Sequence, residues 1–176
     1  MAVQLSDLLA KGYDEAGFLA EFTTPALLVE LVDGRPKEDS DPVYGAGTEV
    51  LSPAVIQQEL ARGANFLNTA TRIEWLRKSD RNPFANLITV GRATTNDVVI
   101  DHTVVSKVHA TLSEIDGQWA VQDGRSRNGT FVNGVRLDPG AKMPLNDGDG
   151  LELGGEVSTR FLTAASLWLF VSNFGR

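Results

Sequence analysis

The sequence contains no cysteine, which excludes disulfide bonds and thiolate metal ligands. It has two histidines, so only His102 and His109 could supply strong nitrogen ligands, and no metal site or other cofactor is expected. Long apolar runs are also missing, since the longest candidate, residues 167–171, is far shorter than the roughly 18 residues of a membrane span. Residues 1–7 lack the basic start and apolar core of a secretory signal. We therefore expect a cytoplasmic protein without a membrane partner.

An excess of positive charge is absent as well, because the net charge of the chain is -7. Residues 1–70 carry four basic and eleven acidic side chains, whereas residues 71–176 carry twelve of each. A protein that binds a nucleic acid duplex usually presents a basic stripe to the phosphate backbone. We expect no nucleic acid partner, although clustered cations in the neutral second part could bind a single phosphate group.

Residues 1–70 are predicted to form an acidic N-terminal extension of mixed helix and coil. A first short helix is expected to carry Ser6 as its cap and to end at Gly12, and residues 14–22 favour a second. Residues 26–31 have the composition of a strand. Ser and Pro at positions 52 and 53 predict a third helix over residues 52–63.

From residue 72 onward, short runs alternate apolar and polar residues with a period of two. Turn signals such as Asp116-Gly117 and Asp123-Gly124 separate these runs at close intervals. Many short strands joined by tight turns predict an all-β fold, either an antiparallel sandwich or a barrel. The periodicity leaves residues 164–173 open between a closing helix and a last strand.

Five motifs lie in this second part: VGR (90–92), NDVVI (96–100), SKVHA (106–110), SRNGTFVNG (126–134) and LNDGD (145–149). Together they resemble the forkhead-associated (FHA) domain family, in its small bacterial-type members, over roughly residues 72–163. The resemblance implies an FHA/SMAD-like β-sandwich of about eleven strands. We therefore divide the chain into the extension, residues 1–70, and an FHA domain with a C-terminal closing segment, residues 71–176.

The resemblance also implies that loops at one end of the sandwich bind phosphothreonine in a partner protein. Arg92 is expected to be the main phosphate ligand, because a guanidinium can donate two parallel hydrogen bonds to phosphate oxygens. By resemblance, Ser106 donates its hydroxyl to the phosphate, and Asn128 holds the main chain of the peptide. Lys107 and Arg127 are predicted to be additional cations at the site.

Each of these assignments has a simpler alternative. Arg92 could be a surface arginine paired with Asp97 or Asp101, and the serine and lysine that follow could be ordinary solvated loop residues. Arg127 stands where many family members carry threonine or serine, so its role is open.

Four further residues are expected to support the site without touching the ligand. Gly91 is predicted to let the chain turn sharply off its strand, and Gly129 belongs to the loop that carries the binding amide. By resemblance, the ring of His109 hydrogen-bonds within the domain and steadies the serine loop. Asn133 and the glycine after it predict a type I′ hairpin turn, because both central positions of that turn need positive φ.

The predicted function is that of a phosphothreonine-dependent interaction module in Ser/Thr kinase signalling, whose partner is a kinase or its substrate. An FHA-fold scaffold or oligomerisation protein that ignores phosphorylation is the alternative. A hydrolase triad built on Ser106 and His109 is not expected, since no nucleophile elbow accompanies them. We also considered that a phosphorylated threonine of the extension, at positions 23–24 or 69–71, could fold back onto Arg92.

Overall fold

The computed structural model describes residues 2–29 and 71–173, which form two β-sheets and three helices. The strands are β1 (Ala2–Gln4), β2 (Ala26–Val29), β3 (Arg72–Trp75), β4 (Ile88–Gly91), β5 (Val98–Val99), β6 (Ala110–Ile115), β7 (Gln118–Asp123), β8 (Thr130–Val132), β9 (Val135–Arg136), β10 (Lys142–Leu145), β11 (Gly150–Leu153) and β12 (Val157–Leu162). The helices are α1 (Leu5–Lys11), α2 (Glu15–Glu21) and α3 (Ala164–Asn173).

The strands form a larger sheet in the order β1-β3-β2-β12-β11-β8-β9 and a smaller sheet in the order β10-β7-β6-β4-β5. Every strand pair is antiparallel except β4 and β5, which run parallel. The predicted all-β sandwich is confirmed. The described ranges hold twelve strands, one more than the resemblance implied.

The main core lies between the two sheets. Its buried side chains come from both of them, so the sheets pack face to face, as in other β-sandwiches. The largest contributors that are fully buried include Leu27, Leu112, Leu151, Leu153 and Phe161.

A second core joins the helices to the larger sheet. It contains Leu8 of α1, Phe18 of α2 and Phe170 of α3 together with apolar side chains of β2, β3 and β12. Strand β2 contributes to both cores, because alternate side chains of a strand point to opposite faces of its sheet. Leu27 belongs to the main core and Leu28 to the second.

Two strands from the residues before position 71, β1 and β2, thus belong to the larger sheet. The domain boundary at residues 70 and 71 stays a prediction. Helix α1 ends at Lys11, and the predicted Gly12 is its C-terminal cap, with a φ of 63°. Its N-terminal cap is Gln4 and not Ser6, because the helix begins one residue before the serine. The helix predicted over residues 52–63 lies outside the described residues.

The C-terminal segment, which periodicity left open, is the helix α3. Thr163 precedes this helix, and its hydroxyl accepts a hydrogen bond from the backbone N–H of Ser166 at 3.3 Å. The carboxylate of Asp147 accepts from the backbone N–H of Thr163 at 2.8 Å and from the side-chain hydroxyls of Thr163 and Ser166. This cap fixes the start of the helix. No helix in the described ranges has the length and hydropathy needed to cross a membrane.

Candidate functional site

Three loops meet at one end of the smaller sheet, and we call them the loop cluster. They connect β4 to β5 (residues 92–97), β5 to β6 (residues 100–109) and β7 to β8 (residues 124–129). The loop before β4 (residues 76–87) leads into the opposite end of that strand. All five predicted ligand residues lie in the loop cluster.

Arg92 follows the last residue of β4 and is anchored to the second loop. Its backbone N–H donates to the carbonyl of Ser106 at 2.9 Å, and its Nε donates to the carbonyl of Val105 at 3.3 Å. The side chain is exposed. The anchored Nε orients the guanidinium, while its two terminal nitrogens hold no acceptor among the described residues.

The alternative pairing of Arg92 with Asp97 is not seen. The buried carboxylate of Asp97 accepts instead from Ser79, Asn82 and Thr89. Burial alone would raise the pKa of Asp97, but these hydrogen bonds together lower it below the ordinary value. Within the described ranges, no carboxylate lies within 4.0 Å of the guanidinium of Arg92.

Gly91 is required by the close approach of two loops and not, as predicted, by a sharp turn of the chain. A Cβ at this position would collide with the backbone carbonyl of Lys107 and would lie 2.9 Å from the side-chain amide of Asn96. That amide nitrogen donates to the carbonyls of Ala93 and Lys107, at 2.7 and 2.6 Å. The missing side chain therefore lets the first two loops pack together.

Ser106 links the second loop to the third. Its Oγ accepts a hydrogen bond from the backbone N–H of Arg127 at 3.0 Å. Because this bond uses an oxygen lone pair, the hydroxyl proton stays available for another acceptor. The hydroxyl donates to no other group in the part of the chain that the structure describes, so it can serve an oxygen of a ligand.

His109 is fully buried, and its ring connects the second loop to the third through two hydrogen bonds. Its Nδ1 accepts from the backbone N–H of Ser106 at 3.0 Å, and its Nε2 lies 3.0 Å from the carbonyl of Gly129. These partners require a neutral ring that is protonated on Nε2. Burial lowers the pKa of His109, and the bond to Gly129 and the charge of Asp123 oppose this only in part.

Asn128 is exposed, and its Nδ2 donates to the carbonyl of Val104 at 2.9 Å. This bond fixes the orientation of the amide and leaves its oxygen and second N–H for a ligand. The next residue, Gly129, has a φ of 93°, which a residue with a side chain rarely adopts. Its carbonyl also accepts from the backbone N–H of Gly154 at 2.9 Å, so the third loop is tied to the turn between β11 and β12.

A buried carboxylate shapes the third loop. Asp123 accepts from the backbone N–H and the hydroxyl of Ser126, at 3.1 and 2.7 Å, and from the hydroxyl of Thr130 at 2.7 Å. The Ser126 hydroxyl oxygen accepts in turn from the backbone N–H of Gly129 at 2.9 Å. Burial alone would raise the pKa of Asp123, but the bonds from Ser126 and Thr130 lower it below its ordinary value. Ser126 and Thr130 belong to the motif of residues 126–134, but their hydrogen bonds to Asp123 were not predicted from the sequence.

Lys107 and Arg127 are both exposed in the loop cluster. Among the described residues, neither side chain forms a hydrogen bond or an ion pair. Together with Arg92 and the exposed Arg125 of the third loop, they make four cations in the loop cluster that have no carboxylate partner among the described residues. Such an arrangement attracts an anion.

Asn133 and Gly134 form the predicted hairpin turn between β8 and β9, with φ values of 49° and 78°. The Asn133 side chain also accepts from the backbone N–H of Gly150 and donates to Asp149, both at 2.9 Å. The turn is therefore held against the start of β11, which gives Asn133 a structural role beside its backbone conformation.

The structure describes three of the threonines considered for a fold-back onto Arg92. Thr71 is 2% exposed, so its side chain is not accessible. Thr23 and Thr24 precede β2, and Arg77 and Leu76 hold the Thr24-Pro25 segment at the start of that strand. The other end of β2, at Val29, is the one that leads towards the loop cluster through Arg72 and Val99. Thr23 and Thr24 therefore lie at the end of β2 that is remote from the loop cluster, and position 69 lies outside the described residues. The fold-back stays a hypothesis.

Part of the chain is similar to known proteins. Residues 88–154 match the FHA domain family model. The ABC transporter ATP-binding/permease protein Rv1747 of Mycobacterium tuberculosis is 45% identical over 67 residues, which cover 38% of this chain and 7% of that protein. The FHA domain-containing protein At4g14490 of Arabidopsis thaliana is 38% identical over 68 residues, which cover 38% of this chain and 18% of that protein.

The chain thus spans less than a fifth of the length of these two curated relatives. Among solved structures, one from a structural and functional analysis of phosphothreonine-dependent FHA domain interactions superposes with a TM-score of 0.48 and 18% identity. The superposition covers 80% of this chain and 97% of the other. The chain contains an FHA domain, to which residues 88–154 belong.

Proposed function

We propose that this chain binds phosphothreonine in a partner protein through Arg92, Ser106, Lys107, Arg127 and Asn128. The partner is a Ser/Thr kinase or a substrate of one, and the encounter takes place in the cytoplasm. The geometry of the Ser106 hydroxyl carries the proposal, because its oxygen lies 3.0 Å from the backbone nitrogen of Arg127 while its proton stays free for a ligand.

The chemistry of a phosphate ester fits these groups. Phosphothreonine carries a charge of about -1.5 to -2 and three acceptor oxygens. In the proposed complex, the guanidinium of Arg92 and the hydroxyl of Ser106 donate to these oxygens, and Lys107 and Arg127 add attraction. An unphosphorylated threonine offers only a neutral hydroxyl in place of the charged phosphate oxygens, so the same groups would gain little from it.

Acid-base catalysis at this site is opposed by the environment of His109. The imidazole bonds the backbone N–H of Ser106 and the carbonyl of Gly129, so neither ring nitrogen is free to take a proton from the Ser106 hydroxyl. A serine without such a base is a poor nucleophile. We therefore propose a binding module and not a hydrolase.

The experiment is a calorimetric titration of a phosphothreonine peptide library into the wild type and into the variants Arg92→Ala and Arg81→Ala. Arg81 is an exposed arginine in the loop that precedes β4, whereas Arg92 follows that strand, so Arg81→Ala is a matched control. We expect loss of binding in Arg92→Ala alone, by roughly 2 to 5 kcal/mol. Equal affinity of both variants for the peptides would refute the assignment of Arg92, and equal affinity of the wild type for the same peptides without phosphate would favour a scaffold that ignores phosphorylation.

A further inference from the structure

Arg136, in the short strand β9, was not predicted as a site residue, but the structure places its guanidinium beside the loop cluster. An ideal Cβ built on Gly129 would lie 2.7 Å from Nε and 3.1 Å from Nη2 of Arg136. The guanidinium therefore occupies the space that a side chain at position 129 would fill. Gly129 directly follows Asn128, the residue proposed to hold the peptide main chain.

The ring of Phe131 holds the guanidinium from a second side. The Cζ atom of Arg136 lies 5.8 Å from the centroid of this ring, within the range of a cation–π contact. The two residues are direct partners in the β8–β9 ladder, so their positions are fixed by the sheet. This support limits the conformational freedom of the arginine side chain before any ligand binds.

The guanidinium has no anionic partner among the described residues. It forms no hydrogen bond or ion pair there, and its side chain is exposed. The nearest acidic position in the register is Glu152, which pairs with Phe131 from the other side, so the phenylalanine strand lies between the two charges. The result is an oriented, unpaired cation at the edge of the proposed binding site.

We propose that Arg136 binds a second acidic group of the phosphorylated partner, an aspartate or glutamate side chain near the phosphothreonine. This inference rests on the proposed function. Ser106 contacts residue 127, and Arg136 contacts residue 129, so the two ligand groups lie on the order of 10 Å apart. An extended peptide advances roughly 3.3 Å per residue, which places the acidic residue two to four positions from the phosphothreonine.

The test uses fluorescence anisotropy with phosphothreonine peptides that carry a single aspartate, or alanine, at each position up to four residues on either side, and with the same peptides unphosphorylated. We expect the wild type to prefer aspartate at one position two to four residues away by about fivefold, the upper range of an exposed ion pair. In Arg136→Gln this preference disappears, while the alanine peptide binds as it does to the wild type. Arg136→Lys restores part of the preference, and Arg81→Gln leaves it intact.

The outcomes separate this inference from the proposed function. If the wild type shows no preference at those positions, or if the preference survives in Arg136→Gln, Arg136 is only a packing residue and the inference is overturned. If no phosphorylated peptide binds the wild type more tightly than its unphosphorylated form, the proposed function itself fails, and this inference fails with it.

Discussion

At the scale of single residues, Ser106 has two separate hydrogen-bonding roles. Its oxygen accepts from the backbone of Arg127, which joins two loops, and its proton is offered to a ligand. The first role belongs to the fold, and the second to the proposed function. A substitution at this position therefore tests both, and the two effects can be measured independently.

We predict that Ser106→Ala weakens binding of a phosphothreonine peptide by at least tenfold, because a hydrogen bond to a charged group contributes about 1.5 to 3 kcal/mol. The unfolding free energy should fall by only about 1 kcal/mol, since the Arg127 N–H is exposed to water. Calorimetry and urea unfolding provide the two values. Ser106→Thr keeps the hydroxyl and should retain much of the affinity, and an unchanged affinity in Ser106→Ala would speak against the proposed ligand role.

At the scale of structural elements, two buried aspartates each fix a loop by accepting several hydrogen bonds from it. Asp123 fixes the third loop of the loop cluster through Ser126 and Thr130, whereas Asp97 fixes the loop before β4 through Ser79 and Asn82. Both carboxylates are buried and rely on donated hydrogen bonds. Asp123 fixes the loop that carries Arg127 and Asn128, whereas Asp97, the last residue of the first loop, ties that loop to Thr89 and to the loop before β4.

We expect Asp123→Asn and Asp97→Asn each to lower the unfolding free energy by about 2 to 4 kcal/mol, because an amide has one acceptor oxygen where the buried carboxylate uses two. Asp123→Asn should also weaken phosphopeptide binding more than fivefold, since Arg127 and Asn128 lose their position. Asp97→Asn should leave affinity within about twofold of the wild type, measured well below its melting temperature. An equal loss of affinity in both variants would contradict this division.

The elements also show what the sequence can reveal. Strands β4, β6, β7, β11 and β12 were predictable because apolar residues alternate along them, and Asn133-Gly134 marks the β8–β9 hairpin. Strand β2 was predicted from its apolar, β-favouring composition and not from alternation, because it is buried on both faces. The position of Arg136 depends on the pairing of β8 with β9 and on the missing side chain of Gly129, and neither contact is visible in the order of residues.

At the scale of the whole molecule, the second core makes the N-terminal helices part of the same folded body as the larger sheet. Phe18 is fully buried and contacts the rings of Phe22, Trp75 and Trp168, with centroid distances of 4.8, 6.4 and 5.4 Å. Residues from both sides of the predicted boundary thus pack around one ring. The stability of the FHA domain should therefore depend on the N-terminal helices.

We predict that Phe18→Ala lowers the unfolding free energy by about 3 to 5 kcal/mol, the usual cost of removing a buried aromatic ring. Urea unfolding followed by tryptophan fluorescence and by circular dichroism should give one coincident transition, shifted to lower urea. Ala16→Gly, at an exposed position of the same helix, serves as a mild control. Two separate transitions would show that the N-terminal helices unfold independently of the sandwich.

The buried neutral His109 gives the molecule a pH dependence. Its folded pKa is lowered, so below pH of about 6.5 the unfolded chain binds a proton that the folded chain resists. The unfolding free energy should consequently fall as the pH decreases from about 6.5 towards the folded pKa. This slope should be reduced in His109→Gln and retained in His102→Gln. The carboxylates of Asp97 and Asp123, which have lowered folded pKa values, lose their contribution only below about pH 3.8.

The affinity of the wild-type chain for a phosphothreonine peptide, compared with the same peptide carrying unmodified threonine, tests the central claim most directly. The loops around Arg92 and Ser106 should bind the best phosphorylated library sequence at least a hundredfold more tightly, and the difference should shrink as salt is added. Equal binding of the two forms across the library would contradict the assignment of these loops to phosphothreonine.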